Sequence, residues 1–260
     1  MHESFFASLP STLEALDVHL TYYPTAFDLA EISLPSSLRS FKTNITFQHK
    51  PSKNTFPEGL HELEIGYFPD FSIIEHLPQH LTSLNVDASS DESGHVVDCA
   101  ILPRHLTRLS LRDPSGCYNW SSMPKGLVHL NLDSESAILI DKSEKEYLLA
   151  QVLRLQLPLE TLRLSSFSMV PFNALTQLPL TLRSLAISSD HDVDSSSPGD
   201  TESTADALST PLAVHWPPSL TQLELALDFS REQLAALFAC DLPVTLRSLH
   251  LNLLAILALP

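Results

Sequence analysis

The sequence predicts an α/β solenoid, with a curved parallel sheet on its concave side and irregular or short helical segments on its convex side. Three observations predict this fold. One leucine-containing phrase recurs along almost all of the 260 residues. Aromatic residues make up only 7% of a chain that is 43% hydrophobic, which favours many similar aliphatic layers over one varied core. Proline is abundant, at 19 residues, whereas glycine is scarce, at 6.

The recurring phrase consists of an apolar residue, proline, two variable residues, leucine, two variable residues, leucine, one variable residue and a last aliphatic residue. Nine copies begin at the apolar residues Leu9, Leu34, Phe56, Leu77, Leu102, Met123, Leu178, Trp216 and Leu242. A tenth, damaged copy contains Leu159, Leu162 and Leu164, with Pro158 out of register. Most copies start 21 to 26 residues apart, within the ~20–29 residues of leucine-rich repeats. We therefore predict one leucine-rich repeat solenoid of about ten repeats over residues 1–260.

Each part of the phrase has a physical role. The final alternation places two apolar side chains on one face of a short strand, because strand side chains alternate with a period of two. One copy cannot bury that face alone, but stacked copies form a continuous core and a parallel sheet. Proline suits the position before the strand, where no N–H is needed for the sheet. The repeat leucines and prolines are therefore scaffold and not candidate site residues.

Three segments between copies depart from the repeat. Ser143–Glu146 and Ser230–Gln233 match capping boxes, each followed by apolar residues at helical spacing, which predicts two convex helices. Residues 188–210 are rich in Ser, Asp and Thr and poor in apolar residues. We expect a disordered acidic insertion there, since little apolar burial offsets the entropy of ordering. A modified or partner-binding role for this insertion is the alternative, and residues 87–98 form a shorter loop of the same kind.

The proline-started phrase resembles the repeats of two families. One is the group of bacterial effectors of the YopM and IpaH type, and the other is the FNIP-type repeat of social amoebae and similar eukaryotic microbes. The resemblance covers residues 9 to 251. The regular asparagine that follows the strand in the effectors is missing here, as at Ala88-Ser89 and Asp113-Pro114, and so is the Phe-Asn phrase of the amoebal repeats. The resemblance implies a solenoid with a binding role.

Charge and cysteine content exclude several classes of partner and compartment. The net charge is −16, from 15 Lys and Arg against 31 Asp and Glu, so nucleic acid and membrane surfaces are poor partners. Three cysteines without a close pair give no disulfide framework, which favours a reducing compartment. The start of the chain has no basic segment and no long apolar run, so we expect a cytoplasmic protein without a signal peptide.

The sequence contains no familiar catalytic or cofactor motif, such as a P-loop or a zinc-ligand spacing. We therefore predict that the chain is not an enzyme and needs no cofactor or metal. The run Asp190-His191-Asp192-Val193-Asp194 carries ligand-type side chains but lies in the acidic insertion. Cys240-Asp241 resembles the Cys-acid pair of effector ubiquitin ligases, whose helical catalytic domain is missing here, so a structural cysteine at a helix end is the preferred interpretation.

The preferred function is a protein-interaction module that binds another protein on the concave face. The variable residues between the strand leucines are polar, of both charge signs and unlike one another, as in a recognition surface. An ordinary solvated strand face is the alternative for any one of them. The candidate partner-binding residues are Asp17, Lys42, Glu62, Glu64, Asn85, Arg108, Ser110, Arg112, His129, Asn131, Arg163, Ser184, Glu224 and His250. The rival functions are the recognition part of a larger effector or ubiquitin ligase, with its catalytic domain elsewhere, and a structural spacer.

Two narrower expectations follow from the same residues. Arg108, Arg112, His129 and Arg163 predict a basic patch at the centre of an acidic protein, where an acidic partner segment would dock. The apolar run from Leu253 to Leu259 lacks the polar outer face that a terminal repeat needs. We therefore expect an uncapped end and end-to-end self-association, unless this run folds back as a short helix and closes the core.

Overall fold

The fold is seen in a computed structural model of the full chain. The described residues are 6, 8–19, 32–44, 55–67, 71–87, 97–112, 117–133, 152–165, 174–188, 214–226, 235, 237 and 239–252. These ranges contain every copy of the repeated phrase. The acidic insertion beyond Ser188, the capping boxes and the apolar run after Asn252 lie outside them.

Ten strands form one parallel sheet, and two short strands form a second. The strands are β1 Ala15–Val18, β2 Ser40–Thr43, β3 Glu62–Tyr67, β4 Ser83–Asp87, β5 Val97–Asp98, β6 Arg108–Arg112, β7 Cys117–Tyr118, β8 His129–Asp133, β9 Thr161–Ser165, β10 Ser184–Ser188, β11 Gln222–Ala226 and β12 Ser248–Asn252. The large sheet runs in chain order from β1 to β12 and omits only β5 and β7, which pair with each other. Each strand of the large sheet corresponds to one copy of the phrase, so the α/β solenoid is confirmed.

The leucines of the phrase form three rows along the core. The first leucine of eight successive copies, from Leu38 to Leu220, is 0% exposed. The two strand leucines pair in register with their counterparts, for example Leu109 with Leu130 and Leu111 with Leu132. Each copy therefore covers the apolar side of its neighbour, as the stacking of incomplete units requires.

Backbone hydrogen bonds repeat with the same regularity. The amide N–H of the leucine closes a turn onto the proline carbonyl three residues earlier, as from Leu60 to Pro57 at 3.0 Å. Ahead of each strand, two consecutive amides donate to one carbonyl of the preceding copy. Thr107 and Arg108, for example, both donate to Thr82 at 2.9 and 3.0 Å. Proline lies at a position where no donor is needed, in agreement with the prediction.

Hydroxyl groups in the turns before the strands tie several copies together. Ser37 donates to the Leu13 carbonyl at 2.6 Å, Thr181 to Leu159 at 2.8 Å and Ser219 to Leu182 at 2.9 Å. Each bond joins a turn to the strand entry of the preceding copy. These short side chains satisfy carbonyls that would otherwise lack a partner at the junction of two repeats.

The damaged copy folds into β9 despite its misplaced proline. Leu159, Leu162 and Leu164 are fully buried or nearly so, as predicted. The entry differs, because the Leu159 amide donates to the Leu157 carbonyl at 2.8 Å and so closes a tighter turn. Gln156 takes up the change in chain direction with a φ of 49°, a conformation that side chains other than glycine rarely adopt.

The convex side consists mainly of short 3₁₀ helices in the described ranges. These lie at Phe71–His76, Cys99–Ile101, Trp120–Ser122 and Ala174–Gln177. Of the two predicted convex helices, residues 152–154 and residues 235, 237 and 239 are helical. The rest of both segments lies outside the described residues. The pairing of β5 with β7 on this side was not predicted.

The last strand, β12, leaves part of the core accessible. Leu249 is 44% exposed and Leu251 is half-buried, whereas their counterparts in β11, Leu223 and Leu225, are 2% and 0% exposed. This difference is measured over the described ranges, which end at Asn252. Within the same ranges, no helix is long and apolar enough to cross a membrane.

Candidate partner-binding face

The strand period that buries the leucines turns the intervening residues outward. In β6, Leu109 and Leu111 are buried, Ser110 is half-buried and Arg108 and Arg112 are exposed. The same alternation recurs in β8, β9, β10 and β11. We call the surface that these residues form the outer face. All the candidate residues from Asp17 to His250 lie at outward positions of their strands.

The strand register arranges the outer face into rows. The first row contains Ala15, Ser40, Glu62, Ser83, Arg108, His129, Thr161, Ser184, Gln222 and Ser248. The middle row contains Asp17, Lys42, Glu64, Asn85, Ser110, Asn131, Arg163, Ala186, Glu224 and His250. Neighbours within a row are about 4.8 Å apart, the spacing of adjacent strands.

A hollow occupies the centre of the outer face. Its volume is about 380 Å³, and its lining reaches from Glu64 in β3 to Ala186 in β10. This depression extends over six neighbouring strands, from β3 to β10. Arg108, His129 and Asn131 line it. It lies where the candidate residues are densest.

Charge is distributed unevenly over the two rows. Acidic residues lie on the early strands, at Asp17, Glu62 and Glu64, and again at Glu224 in β11. From β6 to β10 these rows contain arginine, histidine and neutral residues but no carboxylate. The basic centre thus has acidic residues on both sides along the sheet.

Ion pairs neutralise some charges at the margins. Lys42 lies 4.0 Å from Glu62, and His19 lies 2.8 Å from Asp17. Arg112 lies 3.9 Å from Asp133 on the neighbouring strand, so it adds little net charge to the predicted basic patch. Each pair is largely solvent-exposed, and such pairs contribute ~0–1 kcal/mol to folding.

Asn131 lines the hollow with a half-buried side chain. Its Nδ2 donates to Ser110 Oγ at 3.0 Å. Its Oδ1 is fully shielded from solvent and accepts no hydrogen bond from the described residues. A buried acceptor without a donor is costly, at ~1–3 kcal/mol, so this amide lowers the stability of the sheet at the centre of the outer face.

A second hollow lies beside the first, at the carboxyl ends of the early and middle strands. Its volume is about 350 Å³, and it is lined mainly by polar side chains, among them His19, Asn44, Arg112 and Asp133. Gly66 also lines it, and glycine permits a close approach of two backbones there, because a Cβ would lie 3.0 Å from the Asn44 carbonyl oxygen. Asn44 and Asp133 were not among the predicted candidates, although both belong to the same outward set.

Sequence reasoning also missed several small polar residues of the outer face. Ser40 donates to Glu62 Oε2 at 3.1 Å. Gln222, which was also missed, accepts through Oε1 at 3.2 Å from Ser184, a predicted candidate. Ser83 and Thr161 line the central hollow. The strand period was sufficient to find the missed residues, since each precedes a buried apolar strand residue by one position.

Other candidate chemistry does not assemble in the described part of the chain. No group of three or more His, Cys, Asp or Glu side chains there could hold a metal ion. Cys240 Sγ accepts from the Val214 amide at 3.2 Å at the end of a helical segment, consistent with a structural role. The Asp190–Asp194 run lies outside the described residues.

Comparison with known proteins adds little beyond the fold. No protein-family model matches the sequence, and no curated protein is significantly similar to it. The solved structures that are similar to this chain include two leucine-rich repeat proteins. One is the circular leucine-rich repeat protein CroV588, at 17% identity and a TM-score of 0.47, over 94% of this chain and 34% of that one. The other is the leucine-rich repeat protein LegL7 from Legionella pneumophila, at 18% identity and a TM-score of 0.39, over 72% and 60%. This chain therefore spans about a third of CroV588 and three fifths of LegL7.

Proposed function

We propose that the chain is a cytoplasmic protein-interaction module that holds a partner protein against the concave outer face. The observation that carries the proposal is the face itself. It is continuous over ten strands, solvent-facing, varied in chemistry and hollowed at its centre. If the chain were only a scaffold, equivalent positions of one row would not need side chains as different as those of Lys42, Ser110 and Arg163.

The size of the outer face suits a protein partner. With strands about 4.8 Å apart and residues about 3.3 Å apart, ten strands of five residues cover about 43 Å by 16 Å, or roughly 700 Å². A typical specific interface buries about 800 Å² on each partner. A partner that followed the face and its edges would therefore make a complex of ordinary size.

The proposal is compatible with a chain that acts alone and with one that is the recognition part of a larger effector, because the outer face would bind in both cases. The resemblance to the proline-started repeats of the bacterial effectors and the amoebal proteins remains a prediction. A structural spacer is the competing function. It predicts that changes to the outer face leave all associations of the protein intact.

Affinity capture from the source cells with three forms of the chain tests the proposal. The forms are wild type, an outer-face variant with Ser110→Tyr and Ala186→Tyr, and a control with Ser11→Tyr and Ser36→Tyr. Tyrosine suits strands and adds bulk without charge. The control changes exposed turn residues away from the hollow. Circular dichroism first establishes that all three forms are folded.

We expect wild type and control to capture the same partner, and the outer-face variant to lose it. With the purified partner, the dissociation constant of the outer-face variant should rise at least about tenfold, which corresponds to ~1.4 kcal/mol. Equal affinity for all three forms would rule out the outer face as the binding surface.

A further inference from the structure

The middle of the outer face carries two arginines that form no ion pair within the described part of the chain. Arg108 in the first row and Arg163 in the middle row lie two strands apart, and both line the central hollow. Both are exposed, and neither forms an ion pair with any described residue. This contrasts with Lys42, Arg112 and Arg183, each of which lies within 4.0 Å of a carboxylate.

Two arginines without carboxylate partners are unexpected on a chain of net charge −16. The chain has 31 acidic residues, yet none occupies the first or middle row from β6 to β10. His129 lies between the arginine strands, beside Arg108 in the first row. The hollow is lined by two arginines and, at its β3 end, by one carboxylate, that of Glu64. Its centre is therefore positive within a negative field, and such a region attracts and orients anionic groups.

The other polar groups of the hollow suit a peptide. Ser110, His129 and Asn131 line it together with the arginines, and their side chains include both hydrogen-bond donors and acceptors. A peptide with acidic side chains brings carboxylates for the arginines, and its backbone brings an amide N–H and a carbonyl at every residue. A free carboxylate brings only acceptors at neutral pH.

We propose that the central hollow binds an acidic peptide segment of the partner protein. In this arrangement, Arg108 and Arg163 pair with side-chain carboxylates of that segment, and its backbone exchanges hydrogen bonds with the polar side chains that line the hollow. This inference rests on the proposed function, because it names the chemistry of the segment that the outer face would hold. The hollow of about 380 Å³ has room for a few residues, not for a whole domain.

The acidic flanks favour a short peptide over a nucleic acid. A nucleic acid strand that crossed the hollow along the rows would meet Glu62 and Glu64 on one side and Glu224 on the other. Its phosphates would be repelled at both ends of the basic region. An acidic peptide avoids this, since its carboxylates need occupy only the central strands.

The test uses the full chain and fluorescently labelled short peptides, measured by anisotropy at low and high salt. The probes alternate glycine with glutamate, glutamine or lysine, and a single-stranded oligonucleotide competes in a parallel titration. The variant is Arg108→Gln with Arg163→Gln. The matched control is Arg104→Gln with Arg247→Gln, which removes the same charge from exposed positions outside the hollow.

The glutamate peptide should bind wild type and control alike, and should weaken as salt increases because exposed charge pairs are screened. The arginine variant should bind it at least about tenfold more weakly, since hydrogen bonds between charged groups are worth ~1.5–3 kcal/mol, or about tenfold per 1.4 kcal/mol. Neither the glutamine nor the lysine peptide should bind comparably.

Three results would overturn the inference. If the glutamine peptide bound as tightly as the glutamate peptide, the charge of the peptide would be irrelevant. If the control variant lost as much affinity as the arginine variant, the effect would come from the net charge of the protein. If the oligonucleotide competed effectively with the peptide, the inferred ligand of the hollow would be a nucleic acid and not a peptide. If the Ser110→Tyr and Ala186→Tyr variant still loses its captured partner while no acidic peptide binds wild type, the proposed function stands and this inference alone fails.

Discussion

Replacing Leu130 with alanine should cost about three times as much stability as the same replacement at Leu249, although both leucines occupy the same position of the phrase. Leu130 is 1% exposed and is flanked by Leu109 and Leu162 on the neighbouring strands. Leu249 is 44% exposed, and the described sheet flanks it on one side only, at Leu223. The two sites therefore differ in burial but not in local sequence.

The magnitudes follow from that burial. Truncation of a fully buried leucine costs ~2–5 kcal/mol, from lost burial and from the cavity left behind. We expect ~3 kcal/mol for Leu130→Ala and ~1 kcal/mol for Leu249→Ala, because nearly half of Leu249 is already in water and its neighbours can relax. For a chain of this size, ~1 kcal/mol lowers the Tm by roughly 2–4 °C, so the decreases should be roughly 6–12 °C and 2–4 °C.

Urea unfolding followed by circular dichroism measures both free energies, and sedimentation of wild type measures self-association. Because a solenoid can unfold in parts, hydrogen exchange of the strand amides should show whether β12 opens before β8. Equal costs for the two variants in a monomer would mean that Leu249 is covered in the folded chain, and reasoning from its exposure would be refuted. Equal costs only in an associated form would instead support the predicted end-to-end contact.

Two backbone positions give further tests by urea unfolding. Gly66→Ala should cost ~1–3 kcal/mol by overpacking, because its Cβ would meet the Asn44 backbone at 3.0 Å. Gly59→Ala should change the free energy of unfolding by no more than ~0.5 kcal/mol, since its Cβ would meet only the exposed Arg39 guanidinium, which can move. A larger cost at Gly59 than at Gly66 would contradict this reasoning. Gln156→Gly should stabilise by ~0.5 kcal/mol, because glycine relieves a left-handed strain of ~1–2 kcal/mol and the greater entropy of its unfolded state offsets only part of that. A loss of stability at Gln156→Gly would show that the side chain, not its φ of 49°, dominates at this turn.

The large sheet could be predicted from the sequence because one local pattern determines it. The leucine spacing fixes which residues are buried, and the copies stack because none can bury its face alone. Even β9 was predicted with Pro158 out of register, since Leu162 and Leu164 keep the strand period. The tight turn at Gln156 could not be predicted, because it depends on how a shortened entry fits between two complete repeats.

The convex side could not be predicted in detail because its contacts join segments that share no pattern. Asp98 Oδ1 accepts from the Ala100 amide at 2.8 Å and from Asn119 Nδ2 at 3.1 Å. This cluster links the β5 and β7 strands of two neighbouring copies. No periodicity marks Asp98 or Asn119, and their approach depends on the lengths of the segments that precede them.

The positions of the outer-face residues could be predicted from the sequence, whereas the contacts between their side chains could be seen only in the structure. Alternation placed Arg112 and Asn131 outward without any knowledge of their neighbours. The 3.9 Å approach of Arg112 to Asp133 and the shielding of Asn131 Oδ1 depend on side-chain conformations across the sheet. These two facts change the predicted basic patch. The first removes Arg112 from its effective charge, and the second keeps the Asn131 acceptor out of reach of a ligand.

The register of the sheet also explains why residues far apart in the chain act at one site. Arg108 and Arg163 are far apart in the chain, yet only β8 lies between their strands in the sheet. Distance across the face is set by the number of copies and not by the number of residues between them. An insertion on the convex side therefore leaves the outer face unchanged, and a substitution on the outer face leaves the leucine rows unchanged. The separation of the two arginines should consequently tolerate changes in the length of the intervening segment, whereas removal of the β8 copy would bring them onto adjacent strands and alter the peptide that fits between them.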